Sequence, residues 1–144
     1  MKPTLEGGGH GRHFMKGLVE WNRSGGYIGT TEDGKKFDIY GDVAPSPMEL
    51  VLHAHAACSM IDVMVGLKDR IEEISMAKVE IEGERAEENP RIFTSIMMKY
   101  IIRGEVPEKL VRRLIEQSHE TFCSVGIMIT KSGANLDWSL DFAN

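Results

Sequence analysis

Two stretches of the chain alternate apolar and polar residues with a period of two. Residues 76–86 set Ala77, Val79 and Ile81 against Lys78, Glu80 and Glu82. Residues 135–142 set Leu136, Trp138, Leu140 and Phe142 against Asp137, Ser139 and Asp141. That period puts one face of a strand on a core and the other in solvent. Between them, residues 91–103 carry Ile92, Phe93, Ile96, Tyr100 and Ile102 and end at Gly104. This run reads as a long strand, the hairpin partner of 76–86 across the turn Glu87-Glu88-Asn89-Pro90. Nearer the start, short runs at 14–21, 27–31 and 36–40 are separated by Asn22-Arg23-Ser24-Gly25-Gly26 and by Glu32-Asp33-Gly34. Asp-Gly is a hairpin signal, and the three runs predict a meander.

Two segments switch to helical spacing. Ser46 is suited to an N-cap, Pro47 to the first helical position, and Glu49 completes a capping box. Val51, Ala54, Cys58, Ile61 and Val65 then recur on one face, predicting a largely buried helix to about residue 70, with Gly66 as its weak point. Pro107-Glu108 opens a second amphipathic helix with Leu110, Val111, Leu114, Ile115 and Phe122 on its apolar side. An apolar stretch, Val125–Ile129, breaks at Ser132-Gly133 before the last strand. The order βββ-α-ββ-α-β predicts an α+β fold, helices packed on one face of an antiparallel sheet.

At 144 residues the chain fits one domain, taken as 14–144, after a Gly-rich arm over 1–13 that contains His10 and His13. The composition, 42% hydrophobic and 27% charged, is that of a globular protein. A net charge of −5 without a Lys/Arg cluster argues against a nucleic-acid partner. The longest apolar stretch is interrupted by His53, His55 and Asp62, so no membrane span is expected. No secretory signal pattern opens the chain, and a cytoplasmic location is expected. Nine methionines read as adaptable core filling.

Two cysteines do not make a disulfide scaffold; in a reducing compartment such a pair is catalytic, metal-binding or inert. On a helix Cys58 neighbours Ala54, His55, Ile61 and Asp62. Apolar neighbours and a carboxylate both raise a thiol's pKa, whereas a reactive thiol needs a cation or donors. Arg23 is the best cation candidate, and His55 a weaker local one. Cys123, with His119 and Glu120 before it, sits in a more polar run and suits a thiol reached by a partner thiolate.

Four readings stand side by side: buried structural cysteines; a dithiol/disulfide redox site; a tetrahedral metal site from His55, Cys58, His119 and Cys123; and a Cys-His hydrolase. Glu49 reads first as a cap, since it lies half a turn around the helix from Cys58, about 180°. His53 reads as a solvent or interface residue, Asp62 as a bond across a helix packing, and Arg91 as a turn charge.

Pro45-Ser46-Pro47-Met48-Glu49-Leu50, Ala56-Ala57-Cys58, Asn89-Pro90-Arg91-Ile92-Phe93-Thr94 and Glu120-Thr121-Phe122-Cys123-Ser124-Val125, in this order, resemble the OsmC/Ohr superfamily of osmotically-induced and organic-hydroperoxide-resistance proteins. The resemblance covers about residues 14–143, and Cys58-Ser59-Met60-Ile61-Asp62-Val63 is similar to one OsmC-like subgroup. It implies an α+β fold, an intertwined homodimer with active sites at the interface, and a thiol peroxidase needing no cofactor or metal. Carried over, Cys58 attacks an organic hydroperoxide and becomes a sulfenic acid, and Cys123 resolves it as a disulfide. A dithiol reductant of the lipoyl type restores both. Arg23 falls near the family's thiolate-steadying arginine, and Glu49 one place after its catalytic glutamate. The alternative is an OsmC-like binding or redox-sensing protein with little or no peroxidase activity.

Overall fold

The computed structural model describes residues 14–144; the arm expected over 1–13, with His10 and His13, lies outside the described residues. The chain divides into two compact units, one running to Leu50 and the other Val51–Asn144.

In the first unit, β1 (Gly17–Trp21), β2 (Tyr27–Thr31) and β3 (Lys36–Ile39) form an antiparallel sheet in chain order. The first turn is built on Asn22, whose side-chain oxygen accepts from the amides of Ser24 at 2.8 Å and Gly26 at 3.1 Å. The second needs Gly34, whose φ of +94° is open to glycine at no steric cost. Every residue of β1 is exposed within the chain, including Leu18, Val19 and Trp21. Helix α1 (Pro47–Gly66) starts here through a reciprocal capping box. The Ser46 amide donates to Glu49 Oε1 at 2.9 Å, and the Glu49 amide donates to Ser46 Oγ at 3.2 Å.

In the second unit, α1 runs to Gly66 and gives way to a 3₁₀ segment, Lys68–Glu73. Strands β4 (Ile74–Arg85) and β5 (Phe93–Gly104) form the long antiparallel hairpin. Then come α2 (Glu108–Gln117), a π-turn (Ser118–Phe122), α3 (Ser124–Lys131) and β6 (Asn135–Ala143). The sheet order is β4-β5-β6, and β6 lies parallel to β5, against the antiparallel pairing expected. The helices between the two strands carry the chain back to the starting end of the sheet, which a parallel neighbour requires. Central β5 is the most buried strand; Ile96, Met98, Tyr100 and Ile102 are almost wholly covered. With Val63, Leu67, Val111 and Ile115 they form the core.

Further expectations are corrected. The stretch expected only as an apolar run before β6 is helix α3. Phe122, assigned to the apolar side of the second helix, is 61% exposed because the π-turn rotates it off that face. The buried face of α1 is His55, Ser59 and Val63, whereas Val51, Ile61 and Val65 are exposed. Helix α1 also reaches the length and hydropathy of a membrane span, 20 residues with mean hydropathy 1.3, contrary to the sequence reading. Its inward face is nonetheless polar and tied by hydrogen bonds to β5 and the π-turn.

Candidate functional site

Helix α1 and the π-turn bring the two cysteines together. Cys58, half-buried on α1, lies near enough to Cys123 to act on its thiol. Cys123 is fully buried rather than set in a polar run, and it caps the N-terminus of α3. Its sulfur accepts from the Gly126 amide at 3.3 Å, and its own amide donates to the Ser118 carbonyl at 2.8 Å. A thiol standing in for the usual Ser, Thr, Asp or Asn cap explains why the start of α3 carries no ordinary cap signal. Burial pushes the Cys123 thiol up to about 12, opposed by the Gly126 donor and reinforced by the neighbouring Cys58. Cys123 therefore keeps its proton at neutral pH.

Behind the thiols lies a buried polar chain. Tyr100 on β5, with no exposed surface, shares a short hydrogen bond with Ser59 of α1 and a 2.9 Å bond with His119 Nε2 in the π-turn. Ser59 and Ser118 hydroxyls are 2.9 Å apart, and Ser118 donates to Asp62 Oδ2 at 2.8 Å. Each hydroxyl carries one proton, which orders the chain. With the Ser118 proton given to Asp62 Oδ2, Ser59 donates to Ser118, Tyr100 to Ser59, and His119 Nε2–H to Tyr100. Burial drives the Tyr100 hydroxyl above its usual range. His119 is lowered to about 4 by burial and by His55 beside it, against a smaller opposing effect of Asp62. Asp62 also lines a groove with Val65, Gly66, Leu114, Gln117 and Phe122.

His55 has no exposed surface, and burial lowers its pKa. Among the described residues neither of its ring nitrogens has a hydrogen-bond partner. Its ring stands edge-on to that of His119, centroids 6.4 Å apart. The two His/Cys half-sites do not converge on a cation: among the described residues no group of three or more His, Cys, Asp or Glu side chains is arranged to hold a metal ion.

Arg23 and Glu49 belong to the first unit. Arg23 adopts a left-handed backbone, φ +70°, and its guanidinium carbon stands 5.0 Å from the centre of the Trp21 ring. Glu49 completes the capping box described above. His53 is exposed. Sequence reasoning passed over Ser59, Tyr100 and Ser118 as site residues. The signal for the helical part was a polar stripe, His55, Ser59 and Asp62, at four- and three-residue spacing on an otherwise apolar helix. Tyr100 and Ser118 carry no local signal, because their roles come from contacts across 41 and 59 residues of sequence.

The model of the family "OsmC-like protein" matches residues 40–139. Protein YhfA of Escherichia coli K12 is 35% identical over 122 residues, covering 82% of this chain and 91% of its own. The crystal structure of a hypothetical protein from Aquifex aeolicus superposes with a TM-score of 0.80 at 30% identity, covering 91% of this chain and 97% of that one. An organic hydroperoxide resistance protein OsmC from Legionella pneumophila shares the fold, with a TM-score of 0.64, 15% identity, and coverage of 90% and 97%. The matched span contains both thiols and the polar chain behind them, and the protein belongs to the OsmC-like family.

Proposed function

We propose that the protein is a cysteine-based peroxidase that reduces organic hydroperoxides through a Cys58–Cys123 dithiol/disulfide cycle. The observation that carries the reading is the nearness of a half-buried thiol to a fully buried one, close enough to act on its proton. Cys58, the more accessible sulfur, attacks the O–O bond; the alkoxide leaves as alcohol and Cys58 becomes a sulfenic acid. Cys123 then displaces hydroxide from that sulfur, which departs as water, and the disulfide forms. A dithiol reductant of lipoyl type restores both thiols by exchange. Arg23, carried on a strained turn, is the proposed stabiliser of the Cys58 thiolate, and Glu49 acts chiefly by capping α1. The hydroperoxide-resistance protein of Legionella pneumophila, similar in fold, supports the chemistry by analogy.

The working form is proposed as a cytoplasmic homodimer with active sites at the interface. Support comes from apolar surface left uncovered in the single chain, on β1 (Leu18, Val19, Trp21) and along α1 (Val51, Ile61, Val65). Such patches mark interaction surfaces.

The competing reading is an OsmC-like binding or redox-sensing protein with little or no peroxidase activity, and the strongly held Cys123 proton favours it. Thiol counting separates the two. Reduced protein is mixed with one equivalent of an alkyl hydroperoxide, and free thiols are titrated over time. Rapid loss of both thiols with one alcohol released per disulfide, abolished in Cys58→Ser, is the expected result. Loss at the rate of a free cysteine would overturn the peroxidase and support the binding protein.

A further inference from the structure

His55 is the buried group that the chemistry above does not use. Its ring sits on α1 one helical turn before Cys58, and it has no surface exposed to solvent. Among the described residues both nitrogens lack partners. Leaving a buried polar group unpaired is destabilising, so an apolar side chain of similar volume would serve the core better. The ring also faces one particular neighbour. A Cβ built on Gly126 would lie 2.5 Å from His55 Nε2 and 3.1 Å from Cys123 Sγ. Nitrogen and sulfur therefore both crowd the Gly126 Cα, where even a methyl would not fit between them. The Cys123 sulfur also lies 4.0 Å from the His55 carbonyl oxygen.

We propose that His55 is the proton acceptor for Cys123 in the disulfide-forming step, taking the thiol proton at Nε2 and returning it to the departing hydroxide. The proposal rests on the peroxidase reading and assigns its second half. As the S–S bond forms, the Cys58 S–O bond breaks with its electron pair on oxygen. The Cys123 proton moves to His55 and on to that oxygen, which leaves as water. The Cys58 sulfur is reduced from sulfenic acid to disulfide, the Cys123 sulfur is oxidised from thiol to disulfide, and no proton is gained or lost overall. A base is needed because the Cys123 thiol is too weak an acid to ionise alone. Burial keeps His55 neutral and therefore able to accept. The Nδ1–H tautomer leaves the Nε2 lone pair on the sulfur side.

The test separates the two steps. After a pulse of alkyl hydroperoxide, sulfenic acid on Cys58 is trapped with dimedone at timed intervals and disulfide is counted by mass spectrometry. In His55→Gln the trappable sulfenic acid is expected to persist about a hundredfold longer than in the wild type, the loss typical of a missing general base. Resolution at the wild-type rate overturns the proposal. Cys123→Ser, which cannot resolve, must accumulate sulfenic acid. If it forms none, the peroxidase reading itself falls and this inference with it, an outcome distinct from the first.

Should His55→Gln not fold, the wild-type pH profile decides. The titratable groups around His55 are His119 and Cys123, with Tyr100 and Asp62 beyond them in the polar chain and Cys58 oxidised at this step. The resolution rate should rise with pH through the His55 titration and level off by neutral pH. A rate that climbs tenfold per pH unit through the alkaline range, toward the thiol's own titration, rules His55 out.

Discussion

The Tyr100 hydroxyl lies 2.9 Å from His119 Nε2 and is also hydrogen-bonded to Ser59, so one phenol on β5 joins α1 to the π-turn. The bond ties the two elements that carry the thiols to the most buried strand of the sheet. Tyr100→Phe keeps the ring and its edge-on packing against Trp138 but removes the oxygen on which two bonds converge. The Ser59 hydroxyl and His119 Nε2 each lose a buried partner. The expected loss of stability is about 1–3 kcal/mol, read as a lower urea midpoint at unchanged m-value. An unchanged midpoint would show that neither bond contributes net stability.

His119 links this chain to pH. Its folded pKa, about 4, lies below the ordinary histidine value of 6.5. Between those values the unfolded chain binds more protons than the folded one, so stability falls as pH falls across the window. Below about pH 4 the loss from this group is complete. Its size is on the order of 3 kcal/mol, and His55 shifts in the same direction and adds to it. Unfolding free energies measured between pH 7 and pH 4 should show this slope, and His119→Gln should flatten it. Equal slopes in both proteins would rule out His119 as the source.

The strands and helix starts were legible because their causes are local. Ser46, Pro47 and Glu49 announce α1 by themselves, and Asp33-Gly34 announces the second hairpin. The face of α1 was misread for an equally physical reason. Val51, Ala54, Cys58, Ile61 and Val65 form the more apolar stripe, and hydrophobicity alone turns that stripe inward. The chain instead buries His55 and Ser59, part of whose surroundings are Tyr100 and Ser118, residues no helical pattern can reveal. Helix α3 was missed because its cap is a cysteine, and the parallel β6 because strand direction depends on the intervening path. The cysteine pair itself was legible through the family resemblance, whereas the polar chain behind it depends on long-range contacts.

Gly126 sits in the first turn of α3, where alanine would normally gain up to about 1 kcal/mol of helix propensity. Here the added methyl would meet the His55 ring at 2.5 Å and the Cys123 sulfur at 3.1 Å, both fully buried and unable to swing away. Overpacking of this kind costs about 1–3 kcal/mol, so Gly126→Ala should be net destabilising and lower the thermal midpoint. Gly133→Ala makes a useful contrast. Nothing lies within 4 Å of its Cβ, and any penalty there comes from its φ of +110° alone. A Gly126→Ala protein more stable than the wild type would mean that the space between ring and sulfur is not filled to contact.

The two sulfurs should differ sharply toward an alkylating reagent, because the thiolate is the reacting species. Cys123 is fully buried with its pKa pushed up to about 12, so at pH 8 only about one thiol in ten thousand is ionised, and the reagent cannot reach even that fraction without local opening. Cys58 is half-buried, and a small reagent can approach it. Reduced protein treated with iodoacetamide at pH 8 should gain one adduct, located on Cys58 by peptide mapping. The second should appear only when urea unfolds the chain. In Cys58→Ser the native protein should gain none. Labelling of Cys123 at a rate comparable to Cys58 would show that the π-turn opens readily, exposing the buried sulfur to oxidants directly and removing the distinction between an attacking and a resolving thiol.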